Sequence, residues 1–113
     1  MNQFELFCMI FYALDASLDD RRSETVLSYL SDANPFLFAD NGSAVPEIYD
    51  RFCDVIRENV TIENCYDLAV KYIDTLADKD ISEAFHRIGR DEWISGANAY
   101  LSSPHKGQEE PAE

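Results

Sequence analysis

The chain has 113 residues, 46% of them hydrophobic, with seven Phe, six Tyr and one Trp. That is material for one domain with its own core; it excludes a disordered body and leaves too little chain for two ordinary domains. Twenty-two Asp and Glu against nine Lys and Arg give a formal charge of −13, which argues against direct binding of nucleic acid or of an anionic membrane surface, since both call for a basic footprint.

Asn2 followed by Glu5 has capping-box spacing and predicts a first helix running to about Leu18. Phe4, Phe7, Cys8, Phe11, Leu14 and Leu18 share one face, and Leu6, Met9, Ile10 and Ala13 make the other sides apolar too. Such a helix is central to its fold or turns a spare face to another subunit, so a homodimer through it is one expectation. Periodicity alone leaves a strand open for so aromatic a run; its length favours helix. The apolar stretch Leu6–Leu14 spans nine residues, too few to cross a membrane. Glu5 rather than Lys or Arg precedes it, unlike a secretory signal.

Asp19-Asp20-Arg21-Arg22 turns the chain, and Ser23 or Asp20 caps a second helix through about Asp32, lined inside by Val26, Leu27 and Leu30 with Tyr29 beside them. Asn34-Pro35 stops it. The following stretch, DANPFLFADNGSAVPE from Asp32 to Glu47, is rich in oxygen ligands and invites a calcium reading. With Gly42 in the glycine position of an EF-hand loop, however, Leu37 and Ala39 fall where side-chain oxygens are needed, so the signature fails. Asp40-Asn41-Gly42-Ser43 is a turn signal instead, and Ser43 or Asp40 can cap the next helix. Phe36, Leu37 and Phe38 are expected to pin this connector to the bundle, and they are also its candidate anchors for a partner.

A third helix is predicted from about Val45 to Asn59, with Val45, Ile48, Tyr49, Phe52 and Ile56 inward and Glu47, Asp50, Asp54 and Glu58 outward. A fourth, from about Glu63 to Ala77 and started by Thr61 or Asn64, turns Cys65, Leu68, Ala69, Tyr72 and Leu76 inward. Asp80-Ile-Ser-Glu83 has capping-box spacing for a short fifth helix ending at Gly89, expected there as a left-handed C′ residue. A last helix follows Arg90-Asp91-Glu92, with Trp93, Ile94, Ala97, Tyr100 and Leu101 on one side. The lone Trp93 reads as core. From Ser102 the acidic tail SSPHKGQEEPAE lacks apolar side chains and is expected to be mobile. The prediction is an all-α single domain over residues 1–101, a bundle of about five to six amphipathic helices, with a tail over 102–113.

Cys8, Cys53 and Cys65 are odd in number, lack C-x-x-C spacing and sit by apolar stripes; they predict free thiols and a reducing cytoplasm. No His-x-x-x-His, Glu-x-x-His or Cys-x-x-Cys pattern offers a metal site, and no G-x-S-x-G or phosphate-cradling glycine loop occurs. His86 stands beside Phe85 and reads as a surface histidine, and His105 falls in the tail. Neither catalytic residues nor a cofactor are expected.

The segments YLSDANPFLFADNGSAVPEIYDRF and EAFHRIGRDEWISGANAYL, residues 29–52 and 83–101, resemble small acidic helical bacterial proteins of immunity or still unassigned type. The resemblance implies neutralisation of a toxin made by the same cell and transfers no individual site residue. It agrees with the charge, because an acidic surface suits a basic toxin or nuclease. The expected contact residues are Asp32, Asp40, Glu47, Asp50 and Asp54 for steering, with Phe36 and Phe38 as anchors. A structural or regulatory homo-oligomer and an enzyme with an acid–base pair hidden among the carboxylates remain as alternatives.

Overall fold

The computed structural model describes residues 1–16, 24–36 and 42–105. They form six helices, α1 (Gln3–Ala16), α2 (Glu24–Ala33), α3 (Pro46–Val55), α4 (Cys65–Thr75), α5 (Lys79–His86) and α6 (Arg90–Ser102), and no strand among the described residues. The all-α bundle expected from apolar spacing is the observed architecture.

α1 opens as its sequence dictates. Asn2 Oδ1 accepts the Glu5 N–H at 2.8 Å, and Glu5 Oε1 accepts the Asn2 N–H at 2.9 Å, a reciprocal capping box. The helix then packs against each of the other five. Leu6, Phe7, Cys8, Ile10 and Leu14 are all within 1% of complete burial, on every side of the axis. Most of its hydrophobic surface is therefore used inside the molecule, with Tyr12 the one large apolar side chain of the helix left exposed: α1 is the central helix. Each large side chain so enclosed contributes about 1.5–3 kcal/mol relative to exposure.

Aromatic rings carry the core outward from α1. Phe7 meets Phe52 of α3 at 5.0 Å between ring centroids, and Phe52 meets Tyr72 of α4 edge-on at 4.8 Å. Buried hydroxyls need partners, and the Tyr72 and Tyr29 hydroxyls find each other at 2.8 Å. Burial pushes both phenols above the ordinary tyrosine range. Trp93 is 5% exposed, and its indole N–H donates to Cys65 Sγ at 3.2 Å; the core role expected of it is observed. Cys8, Cys53 and Cys65 form no disulfide with one another.

Four boundaries differ from the sequence reading. The third helix stops at Val55 rather than Asn59, because Ile56 leaves helical geometry at φ −103° and ψ 88°. The β-branched run around Ile56, Val60, Thr61 and Ile62 prefers extended backbone; Ile56 and Val60 are buried along it, and the Gln3 side-chain amide donates to the freed Ile56 carbonyl. The fifth helix starts earlier than Asp80. Ala77 takes a left-handed φ of 51° after α4, and Asp78, extended, is the N-cap, accepting the Ile81 N–H at 2.9 Å. Gly89 is not left-handed; it is the extended N-cap of α6, at φ −72° and ψ 160°. Mobility was expected from Ser102, but Ser102 closes α6 and His105 packs back on α1. Residues 106–113 lie outside the described residues.

Candidate functional site

Glu24, Ser28 and Asp32 stand at i, i+4 and i+8 on α2, a single line along the helix. Ile48 of α3 and Leu76, Asp78 and Ile81 around the α4–α5 turn face that line. With Tyr29 they bound an open depression of about 540 Å³, with no Lys or Arg among the described residues of its lining. Ile48, Tyr29 and Leu76 are half-buried and Ile81 is buried, so the floor is apolar, while exposed Glu24 and Asp32 and half-buried Asp78 place carboxylates around it. This combination fits a lysine or arginine side chain, whose aliphatic stem lies on apolar surface while its charged head reaches carboxylates.

Among the described residues, no ion pair engages the exposed carboxylates Glu24 and Asp32 of the depression. Four Lys/Arg–carboxylate pairs occur among the described residues: Arg57–Asp54 at 3.6 Å, Lys71–Glu58 at 2.7 Å, Lys79–Glu83 at 3.8 Å and Arg90–Asp67 at 3.2 Å. The Lys71 hydrogen bond holds the Glu58 carboxyl below its usual range. Glu24, Asp32, Glu47, Asp50, Glu63 and Asp74 have no cationic side chain within 4.0 Å among the described residues.

The structure divides the residues expected to meet a partner. Asp32 lines the depression with Glu24 and Asp78. Glu47, Asp50 and Asp54 are exposed on the side of α3 opposite buried Phe52, outside that lining. Asp54 pairs with Arg57 across side chains that are both 77% exposed, a contact of little energetic weight. Phe36 is half-buried, its ring 5.7 Å from Phe11 and 5.1 Å from Tyr12, so it pins the connector to α1. Phe38 and Asp40 lie outside the described residues.

The ends of that connector are tied by the backbone. Ala44 N–H donates to the Asn34 carbonyl at 3.0 Å and Val45 N–H to the Asp32 carbonyl at 2.8 Å. Asn34 Oδ1 accepts the Phe36 N–H at 2.8 Å, an Asx turn. Ser43 is buried; its hydroxyl donates to the Val45 carbonyl and accepts the Tyr49 N–H at 3.0 Å, serving the start of α3 from before the formal cap at Val45. These bonds hold the described ends of the segment together at its base.

A second polar cluster, missed by sequence reasoning, joins the chain's two ends. His105 Nε2 lies 2.5 Å from Glu5 Oε2, and the two side chains are only 5% and 6% exposed. His105 Nδ1 is 2.6 Å from the Ser103 carbonyl. A carbonyl only accepts, so Nδ1 carries a proton, and one further proton sits between Nε2 and the carboxylate. Burial works against the imidazolium, but hydrogen bonds to Ser103 and Glu5 outweigh it and the His105 pKa is raised. Both ring nitrogens and both carboxylate oxygens are engaged by protein groups, so the pair is built as a clasp rather than as a base open to substrate.

His86 is exposed in the last turn of α5, edge-on to Phe85 at 5.7 Å. Among the described residues no three His, Cys, Asp or Glu side chains are grouped to share a metal ion. No described helix is long and apolar enough to cross a membrane. No family model, curated protein or solved structure matches the chain.

Proposed function

We propose that this protein is a non-catalytic binding domain that receives a basic protein partner, acting as an immunity protein toward a toxin or nuclease in a reducing cytoplasm. The supporting observation is the α2–α3 depression, where Glu24, Asp32 and Asp78 surround an apolar floor and no basic residue stands among the described lining residues. Exposed carboxylates raise the rate of encounter with a cationic partner, and the apolar floor then buries the stem of a docked Lys or Arg. Glu47, Asp50 and Asp54 add to the field that steers the partner rather than to the docked contact. Self-association is the less favoured reading, because α1 packs against all five other helices of its own chain and leaves only Tyr12 of its large apolar side chains exposed.

The test is capture of a partner from the native cell, followed by association kinetics with the purified pair. Glu24→Lys/Asp32→Lys should slow association by about tenfold or more at low ionic strength and flatten its salt dependence. A captured partner of neutral or acidic charge, or on-rates indifferent to the substitutions and to salt, would overturn the reading.

A further inference from the structure

A larger concavity lies between α1 and α6 and shares no lining residue with the acidic depression; it measures about 600 Å³. Its α1 wall runs from Met9 to Ala16 and its α6 wall from Glu92 to Tyr100, which at 1.5 Å per residue makes each wall about 10–12 Å long. That is the span from i to i+7 on a helix, the spacing of the anchor residues by which an amphipathic helix seats in a groove.

The walls are shaped for close approach. Tyr12 of α1 and Tyr100 of α6 meet edge-on at 5.8 Å between ring centroids, and the rest of the lining includes the small residues Ala13, Ala16, Ala97 and Ala99 along with Trp93. Gly96, in the interior of α6, is exposed, and beyond its own helix no described residue comes within 4 Å of where a Cβ would stand. A glycine there lowers helix propensity and leaves the wall open at that point. Tyr12 is 48% exposed, the most exposed large apolar side chain described.

The charge of the surroundings selects the occupant. Glu92 lines the groove, and exposed Asp91 and Asp15 adjoin its walls; among the described residues no Lys or Arg lines it. His105, at one end, is held by Glu5. A second copy of a chain with net charge −13 would meet repulsion here, whereas basic side chains beside apolar anchors would meet attraction. We infer that the α1–α6 groove seats one face of an amphipathic helix with basic flanks, carried by a partner protein. The inference rests on the protein-binding reading for the sign of the partner's charge and adds the place where its apolar residues are buried.

The probe is a Leu/Lys peptide of about 14 residues, with leucines at i, i+3, i+4 and i+7 and no tryptophan. Trp93, the only tryptophan, is the reporter in the groove wall. Saturable change in Trp93 emission is expected with Leu/Lys and none with a Leu/Glu peptide of the same pattern. Gly96→Leu should fill the groove and weaken binding at least tenfold, with its helicity checked by circular dichroism. Ala99→Arg, at an exposed position, should do the same by repulsion if the first variant folds poorly. Glu24→Lys/Asp32→Lys should leave peptide affinity within about threefold, which separates the groove from the depression. Equal affinity of wild type, Gly96→Leu and Ala99→Arg, an unmoved Trp93, or equal binding of Leu/Glu would overturn the inference. Loss of peptide binding only in the Glu24→Lys/Asp32→Lys variant would overturn it too, leaving the acidic depression as the binding place. Groove binding with partner kinetics indifferent to acidic reversal would overturn the steering reading alone.

Discussion

Two carboxylate environments in this molecule follow opposite rules. At the start of α1, Glu5 is 6% exposed at its side chain, and each oxygen has a partner, the Asn2 N–H and the His105 ring. Around the α2–α3 depression, Glu24 and Asp32 are exposed and have no cationic side chain within 4.0 Å among the described residues. A buried charge without a partner is intolerable, so the first environment is constrained by stability. An exposed charge costs little to leave unpaired, so the second is free to serve an external partner. Net charge alone would not have separated the two.

The largest effect should come from breaking the clasp. His105→Ala leaves Glu5 buried beside an empty place, at a cost of roughly 2–4 kcal/mol, moderated where the released segment lets water reach the carboxylate. Denaturant unfolding measures it. Glu5→Gln should cost less, since Gln keeps the capping-box bond. The clasp also gives stability a pH dependence. The folded-state pKa of His105 is raised above the ordinary value, so the folded state holds the proton more tightly than the unfolded one. Its contribution is fully present below the unfolded pKa of about 6.5 and is lost as pH rises through the folded value. Wild-type stability should fall through that window and the His105→Ala profile should stay flat there; parallel profiles would refute the assignment.

The next effect sharpens the comparison at a residue that belongs to both regimes. Asp78 lines the depression and caps α5 through the Ile81 N–H. Asp78→Ala should cost about 1 kcal/mol, the worth of a cap, while Asp78→Asn should retain most of it, losing only the charge at the helix N-terminus. Thermal unfolding of both variants separates capping from charge. If Asn costs as much as Ala, the carboxylate acts as an ion there and the division drawn above is too simple.

How much of this was legible follows the range of the interaction. The Asn2–Glu5 box is complete within three residues, and so is the turn before α4, where Thr61 N–H donates to Asn64 Oδ1 at 2.7 Å and Asn64 N–H to Thr61 Oγ1 at 3.2 Å. Both could be read from spacing. The cap of α5 was misplaced because Asp78 and Asp80 each offer a capping oxygen, and the left-handed turn at Ala77 settles which one does. The Glu5–His105 clasp spans 100 positions, and nothing local to SSPHKG announces it. In the site, Asp32 was found from its sign. It was grouped with Glu47, Asp50 and Asp54, whereas the fold sets it with Glu24 and Asp78. The i, i+4, i+8 line Glu24-Ser28-Asp32 was the available signal, and Phe36 was legible as the pin of its loop.

The smallest expected effect on stability tests the other half of the comparison. In Glu24→Lys/Asp32→Lys, two exposed carboxylates with no ion-pair partner among the described residues become ammonium groups, so no buried pair is broken and no packing is lost. Surface changes of this kind lie within about 0.5 kcal/mol. At low ionic strength the sign should be favourable, because the substitution lowers the self-repulsion of a chain carrying a formal charge of −13. The gain should shrink as added salt shortens the screening length toward about 8 Å. Urea unfolding at two salt concentrations is sufficient. A loss of 2 kcal/mol or more would place these carboxylates among groups that hold the fold, the role of surface burial and pairing, and would remove the freedom that makes the depression available to a partner.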